Sequence, residues 1–187
     1  MTTPRAQAVL DALARESTAL YALLDAARDD AVLPWVREAG EPVACLYDGW
    51  QADELSDVAP YLVALPPGSA ARGDLVRRAW GAAWGVYLAS DLELRELRRH
   101  LRRFLRVAVQ GRGRMLFRYY DPRVLRAFLP TCTLEEANAF FGPVDCFITE
   151  GHTGESLTRF TVTPEGVAVD ALALPEATAL DPPRLVD

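Results

Sequence analysis

Apolar residues recur along this chain in short runs divided by charged, Pro or Gly breaks, and their spacing switches between helix-like and strand-like. Thr3-Pro4 reads as the N-cap and first turn of an opening helix that turns Val9, Leu10 and Leu13 inward. The run Ser17–Ala26 fits either a strand or a helix. A strand is favoured because the charged break Arg28-Asp29-Asp30 follows closely, with a helical stretch beyond it. Val32–Gly40 is helical and stops at Gly40, a C′ glycine. Glu41–Gly49 reads as a buried strand bounded by Pro and Gly. Gln51–Pro60 is a short polar helix or turn that Pro60 stops. Tyr61–Gly68 is a strand ending in a double proline. Gly73–Ala83 is a helix carrying Leu75, Val76, Ala79 and Trp80, and Trp84–Ser90 returns as a strand.

From Ser90 the pattern becomes strongly two-sided. Ser90 with Glu93 has the spacing of a capping box. Leu94, Leu97, Leu101, Phe104, Leu105 and Ala108 then share one helical arc, and Arg95, Arg98, Arg99, Arg102, Arg103 and Arg106 share another. Gly111-Arg112-Gly113-Arg114 supplies a turn, and Met115–Tyr120 alternates as a strand with two faces. Asp121-Pro122 opens a helix that ends at Pro130, and Thr133 with Glu136 forms a second capping box before Gly142-Pro143. Cys146–Thr149 is strand-like and Glu150–Ser156 is loop. Two alternating runs around Pro164 and Gly166 form a hairpin, and Pro175–Asp187 reads as a loosely ordered, acidic tail. These elements predict an α/β or mixed α+β fold, a mixed sheet flanked by helices with a C-terminal β-hairpin extension. They divide the chain into an N-terminal helix (1–17), a main α/β domain (18–147), and the hairpin extension with its tail (148–187).

Composition adds scale. With 187 residues, half of them apolar, the chain can bury a core of its own. No apolar run approaches the roughly 18–20 residues needed to span a bilayer, and the N-terminus lacks a signal-peptide pattern, so a cytoplasmic protein is expected. Cys45, Cys132 and Cys146 are widely spaced in apolar surroundings and read as small buried hydrophobes. Charge changes the picture most. Residues 91–126 hold eleven Arg against four acids, a net of +7, whereas the remainder of the chain carries −13 within the formal total of −6.

Candidate chemistry is sparse. The sequence has no nucleophile elbow, phosphate-binding loop, His-Glu-x-x-His or Cys-x-x-Cys motif. His152 lies beside Glu150 and Glu155 in a Gly-rich loop, short of the three or four ligands a stable metal site needs. No catalytic residue, no metal and no cofactor is therefore expected, and a non-enzymatic protein is the reading. His100 and Asp121 are candidate members of a structural polar cluster reaching Arg118 or Arg102, with His100 one turn from Glu96. The arginine face needs compensation from acids elsewhere in the fold or from a partner. Arg95, Arg98, Arg99, Arg102, Arg106, Arg118 and Arg123 are accordingly candidate partner-binding residues. Nucleic acid is the rival partner, with Tyr119 or Tyr120 stacking on bases, although the acidic chain and the absence of a reader motif argue against it.

Six segments together carry a family resemblance: Ala44–Gly49, Ala59–Leu65, Trp84–Ser90, His100–Val107, Leu116–Thr131 and Phe141–Val144. In this order, from about Leu20 to Val144, they closely resemble the adaptor-chaperone domain of bacterial type VI secretion, the Tap or TEC family. His-Leu-Arg-Arg-Phe-Leu together with Phe-Arg-Tyr-Tyr-Asp-Pro-Arg-Val-Leu is the specific part. The resemblance implies a cytoplasmic adaptor without cofactor or catalytic residues. Such a protein holds a secreted effector and helps load it onto the spike (VgrG-type) protein, with neither nucleic acid nor membrane as partner. An adaptor that covers apolar client segments needs an apolar groove with a polar rim, for which Trp35, Trp50, Trp80 and Trp84 are candidates alongside their ordinary role as core.

Overall fold

The computed structural model describes residues 2–109, 111 and 113–176. The centre of the Gly-Arg turn and the tail from residue 177 onward lie outside the described residues. Helix α1 (Pro4–Leu13) is capped by the Thr3 hydroxyl, which accepts from the Ala6 amide at 3.2 Å. Strand β1 (Ala19–Asp25) follows, then α2 (Val32–Glu38), whose end is fixed by Gly40 at φ +69°. Next come β2 (Val43–Cys45), α3 (Trp50–Glu54), β3 (Pro60–Ala64), α4 (Ala70–Ala79), β4 (Gly85–Ser90) and α5 (Leu94–Arg102). The chain continues through β5 (Arg106–Val109), β6 (Gly113–Leu116), α6 (Pro122–Phe128), α7 (Leu134–Phe141), β7 (Val144–Glu150), β8 (Ser156–Thr163) and β9 (Gly166–Ala173).

Seven strands form one sheet in the order β2-β3-β1-β4-β7-β8-β9, while β5 and β6 make a separate two-stranded ribbon. The mixed α+β class and the C-terminal hairpin stand as expected. In place of a mixed sheet, every ladder is antiparallel. Both faces are covered. Leu20, Ala22 and Leu24 of β1 join the core beneath α1, α2 and α4, while Tyr21 and Leu23 join the core beneath α5, α6 and α7. A strand buried on both faces loses its polar–apolar alternation, which is why the Ser17–Ala26 run fits two conformations on paper.

Other local expectations give way to tertiary contacts. Ser90 and Glu93 form no capping box: Glu93 is the N-cap without a side-chain bond. Ser90 ends β4, and its hydroxyl donates to the Pro143 carbonyl at 2.7 Å and accepts from the Leu92 amide at 3.2 Å. Helix α5 stops at Arg102, so Phe104, Leu105 and Ala108 do not extend it, and Ala108 belongs to β5. Beyond Gly113 the strand ends at Leu116, and Phe117–Tyr120 leave the ribbon for the core. Strand β2 is a half-exposed edge rather than a buried strand, because only β3 pairs with it. Pro60 opens β3 instead of stopping a helix, as an edge-compatible first residue can. Helix α4 spans Ala70–Ala79, ahead of the expected Gly73–Ala83, because Ser69 caps it through the Ala71 amide at 3.1 Å. Asp121 and Thr133 cap α6 and α7 as read, the latter in a complete capping box.

Candidate protein-docking surface

The Phe117–Arg126 segment crosses one end of the sheet, with Tyr119, Tyr120, Asp121, Pro122 and Leu125 buried. The Arg118 guanidinium donates to Asp25, a carboxylate 1% exposed at the end of β1. Asp25 also accepts from the Ala27 amide at 3.1 Å. The buried Tyr119 hydroxyl donates to the Leu101 carbonyl at 2.7 Å, satisfying one of the orphan acceptors in the last turn of α5. Its ring meets Phe140 edge-on at 5.3 Å, and Phe117 meets Phe128 at 4.7 Å. Asp121 accepts from the Arg123 amide and pairs with the Arg123 side chain. Burial pushes the Asp121 carboxyl upward, but the side-chain and backbone hydrogen bonds from Arg123 outweigh it and leave the pKa below the usual carboxylate value. Arg126 donates to the Glu150 backbone carbonyl, and the Glu150 carboxylate receives the amides of Gly81 and Ala83. These contacts tie the segment to the ends of β1 and β7.

Helix α5 divides its arginines. Arg98 and Arg102 lean toward β2. Arg98 donates to the carbonyls of Cys45 (2.5 Å) and Tyr47 (2.8 Å), and Arg102 pairs with Asp48 at 2.6 Å. The Arg102 hydrogen bond draws the Asp48 carboxyl below its ordinary pKa. Arg103 stacks over Phe104 at 5.4 Å and reaches His100 Nδ1 at 2.8 Å. Arg95, Arg99 and Arg106 are exposed, and among the described residues none of them has a carboxylate within ion-pair distance. Of the seven arginines proposed to bind a partner, then, Arg98, Arg102, Arg118 and Arg123 are engaged by the chain itself, and Arg95, Arg99 and Arg106 are free toward solvent.

His100 and Asp121 fall into separate networks. The 7%-exposed His100 sits against the end of α7, with Nε2 2.8 Å from the Phe140 carbonyl, and Glu96 does not bond to it. Burial pushes its imidazole pKa down, partly opposed by that carbonyl. The folded pKa therefore lies below the unfolded value of about 6.5, and the unfolded chain binds more protons as pH falls through that value. The thermal midpoint is expected to drop between pH 7 and pH 5, above the range in which carboxylates titrate. A His100→Gln variant is expected to show a flatter profile over the same interval, measured by circular dichroism.

Among the tryptophans, Trp35, Trp80 and Trp84 are buried core, and Trp50 is 65% exposed. Trp50 opens α3, two residues after the Asp48 that Arg102 holds. Val43 on the β2 edge and Leu55 and Val58 in the connection between α3 and β3 are also exposed, as are Met115 and Leu116 on the ribbon that follows α5. The sequence named Trp50 only as one of four. Neither the exposed apolar positions on the ribbon nor those along β2 were singled out, because exposure depends on which neighbours the fold supplies. Tyr119 and Tyr120 are buried and have no face to offer a base. The His152 side chain is exposed, in a loop whose amides at 152 and 153 bind Glu155. No described helix is long and apolar enough to cross a membrane.

The surface that emerges is a strip of free guanidinium groups, Arg95 and Arg99 on α5 and Arg106 on β5, with the exposed Leu116 directly opposite Arg106 on the ribbon. Such a strip can steer an acidic partner and set its register, with Leu116 supplying apolar burial. Comparison with curated proteins and with solved structures gives no match. Residues 20–139, from β1 into α7 and including both α5 and the Arg-Tyr-Tyr-Asp-Pro segment, match the family described as "Domain of unknown function (DUF4123)", and the chain belongs to that family.

Proposed function

We propose that this protein is a non-enzymatic adaptor that binds a type VI secretion effector and helps load it onto the spike (VgrG-type) protein in the bacterial cytoplasm. Membership of the DUF4123 family, one known from effector-chaperone adaptors of that apparatus, supports the reading. One observation carries it on the physical side: Arg95 and Arg99 on α5 and Arg106 on β5 are exposed, and among the described residues none has a carboxylate within ion-pair distance. Arg95 and Arg99, four residues apart on α5, repel one another while unpaired, and a partner's carboxylates relieve that repulsion. Trp and Arg are also the residue types that most often dominate binding energy at protein interfaces.

Co-expression with the products of neighbouring toxin and spike genes tests the proposal. The expected result is stoichiometric co-purification with the toxin, weakened by Trp50→Ala while the thermal midpoint is unchanged. Retention of neither product sinks the adaptor reading. Sequence-indifferent DNA binding with a steep salt slope would assign the arginine strip to nucleic acid instead.

A further inference from the structure

Strand β9 closes the sheet with its outer edge bare. Its ladder with β8 runs from Thr163↔Gly166 to Ser156↔Ala173 without a bulge, and the Leu174 amide continues it to the Glu155 carbonyl at 2.9 Å. In an antiparallel pair the residues that bond to the neighbour alternate with those that face away. The Glu155–Leu174 bond fixes the even-numbered residues of β9 toward β8. The N–H and C=O groups of Val167, Val169, Ala171 and Ala173 therefore point outward, and among the described residues no strand meets them. Residues 169–173 are exposed along the whole of that run.

Soluble proteins usually blunt such an edge with Lys, Pro, a bulge or a short strand. This edge is eight residues long and, apart from Asp170, entirely uncharged. It also shows one large apolar side chain on each face. Val169, 49% exposed, pairs across from Phe160 on the α7 side, and Leu172, 43% exposed, pairs across from Leu157 on the α1 side. An added strand would place alternate side chains against each of them.

Charge selects the occupant. Asp170, at the middle of the edge, stands opposite Arg159 across the β8 ladder, whereas Glu165 and Glu176 at its two ends have no cation within ion-pair distance among the described residues, so the ends of the edge are left acidic. A second copy paired about Asp170 would set the two Asp170 side chains directly opposite each other, which is unfavourable. We infer that the β9 edge takes up an extended, apolar segment of another polypeptide flanked by basic residues, added as an eighth strand. The site is separate from the arginine strip on α5. Naming the donor as a secretion client rests on the adaptor reading; the strand addition itself does not.

The test uses the purified chain and two synthetic peptides, Arg-Val-Thr-Val-Thr-Val-Arg and Glu-Val-Thr-Val-Thr-Val-Glu, followed by amide NMR. The arginine peptide is expected to protect the amides of Val167, Val169, Ala171 and Ala173 and to bind roughly ten-fold more tightly than the glutamate peptide. Ala171→Pro removes one outward N–H without touching the β8 ladder, and should abolish that protection while keeping the fold. Glu165→Arg with Glu176→Arg should reverse the peptide preference. Equal binding of both peptides, or protection that appears elsewhere on the chain, would overturn the inference. So would concentration-dependent protection of these four amides without peptide and with a dimer mass, which would assign the edge to a second copy. None of these results touches the α5 strip, so failure here and failure of the adaptor reading are distinguishable.

Discussion

Arg118→Ala is expected to destabilise the fold by roughly 2–3 kcal/mol, although Arg118 lies in the most basic stretch of the chain and looks from sequence like a docking residue. The reason is Asp25. Its side chain is 1% exposed, and the Arg118 guanidinium is its charged partner. Removing that partner leaves a buried carboxylate whose remaining support among the described residues is the Ala27 amide and the more distant charge of Arg123. The figure sits below the range for fully buried pairs because Arg118 itself keeps 42% of its side-chain exposure, where water screens the interaction. For a chain of this size the loss corresponds to a fall in thermal midpoint of about 4–12 °C. Arg95→Ala, on a free guanidinium, should stay within about 0.5 kcal/mol of the parent. The double variant Arg118→Ala/Asp25→Ala should cost less than the sum of the two single changes, since neither then strands the other. Equal, small effects at Arg118 and Arg95 would show that the Arg118–Asp25 pair does not hold the segment in place.

Gly142→Ala carries the second large effect, about 3 kcal/mol, from two separable causes. Gly142 ends α7 at φ +50°, a backbone conformation in which a side chain is strained. A Cβ built there would also stand 2.5 Å from His100 Cε1. His100 cannot swing away freely, because Nε2 is held at the Phe140 carbonyl and its ring packs on Phe104 at 5.2 Å. Combining Gly142→Ala with His100→Ala should recover the steric part and leave the backbone part. The coupling between the two, measured by urea denaturation, is then favourable by about 1–2 kcal/mol. Strict additivity would mean that the imidazole does not confine the turn.

Much of the architecture is legible in the sequence because its signals are local. The Thr3, Asp121 and Thr133 caps lie next to the helices they start. The β8–β9 hairpin announces itself through alternation on either side of Pro164 and Gly166. What fails is set by partners far away in sequence. Ser90 has the spacing of a capping box, but Pro143 claims its hydroxyl. Phe104 and Leu105 continue the helical arc of α5 on paper, yet the chain turns after Arg102, Tyr119 binds the Leu101 carbonyl, and the Leu105 carbonyl receives the Phe117 amide.

The candidate site divides along the same line. Spacing alone puts all the α5 arginines on one face. Asp48 is 54 residues away from Arg102, and Asp25 is 93 away from Arg118, so no reading of the helix by itself could tell which guanidiniums find internal partners. Once those pairs are drawn, the conspicuous Arg-Tyr-Tyr-Asp-Pro-Arg motif is mostly framework. The proposed interaction surface shrinks to three arginines, Arg95, Arg99 and Arg106.

The most direct measurement is the affinity of the triple variant Arg95→Glu/Arg99→Glu/Arg106→Glu for the co-expressed effector, taken together with its thermal midpoint. The account predicts binding weakened at least about ten-fold, a lost salt dependence and a midpoint close to that of the parent. Full-strength, salt-sensitive binding by this variant would contradict it.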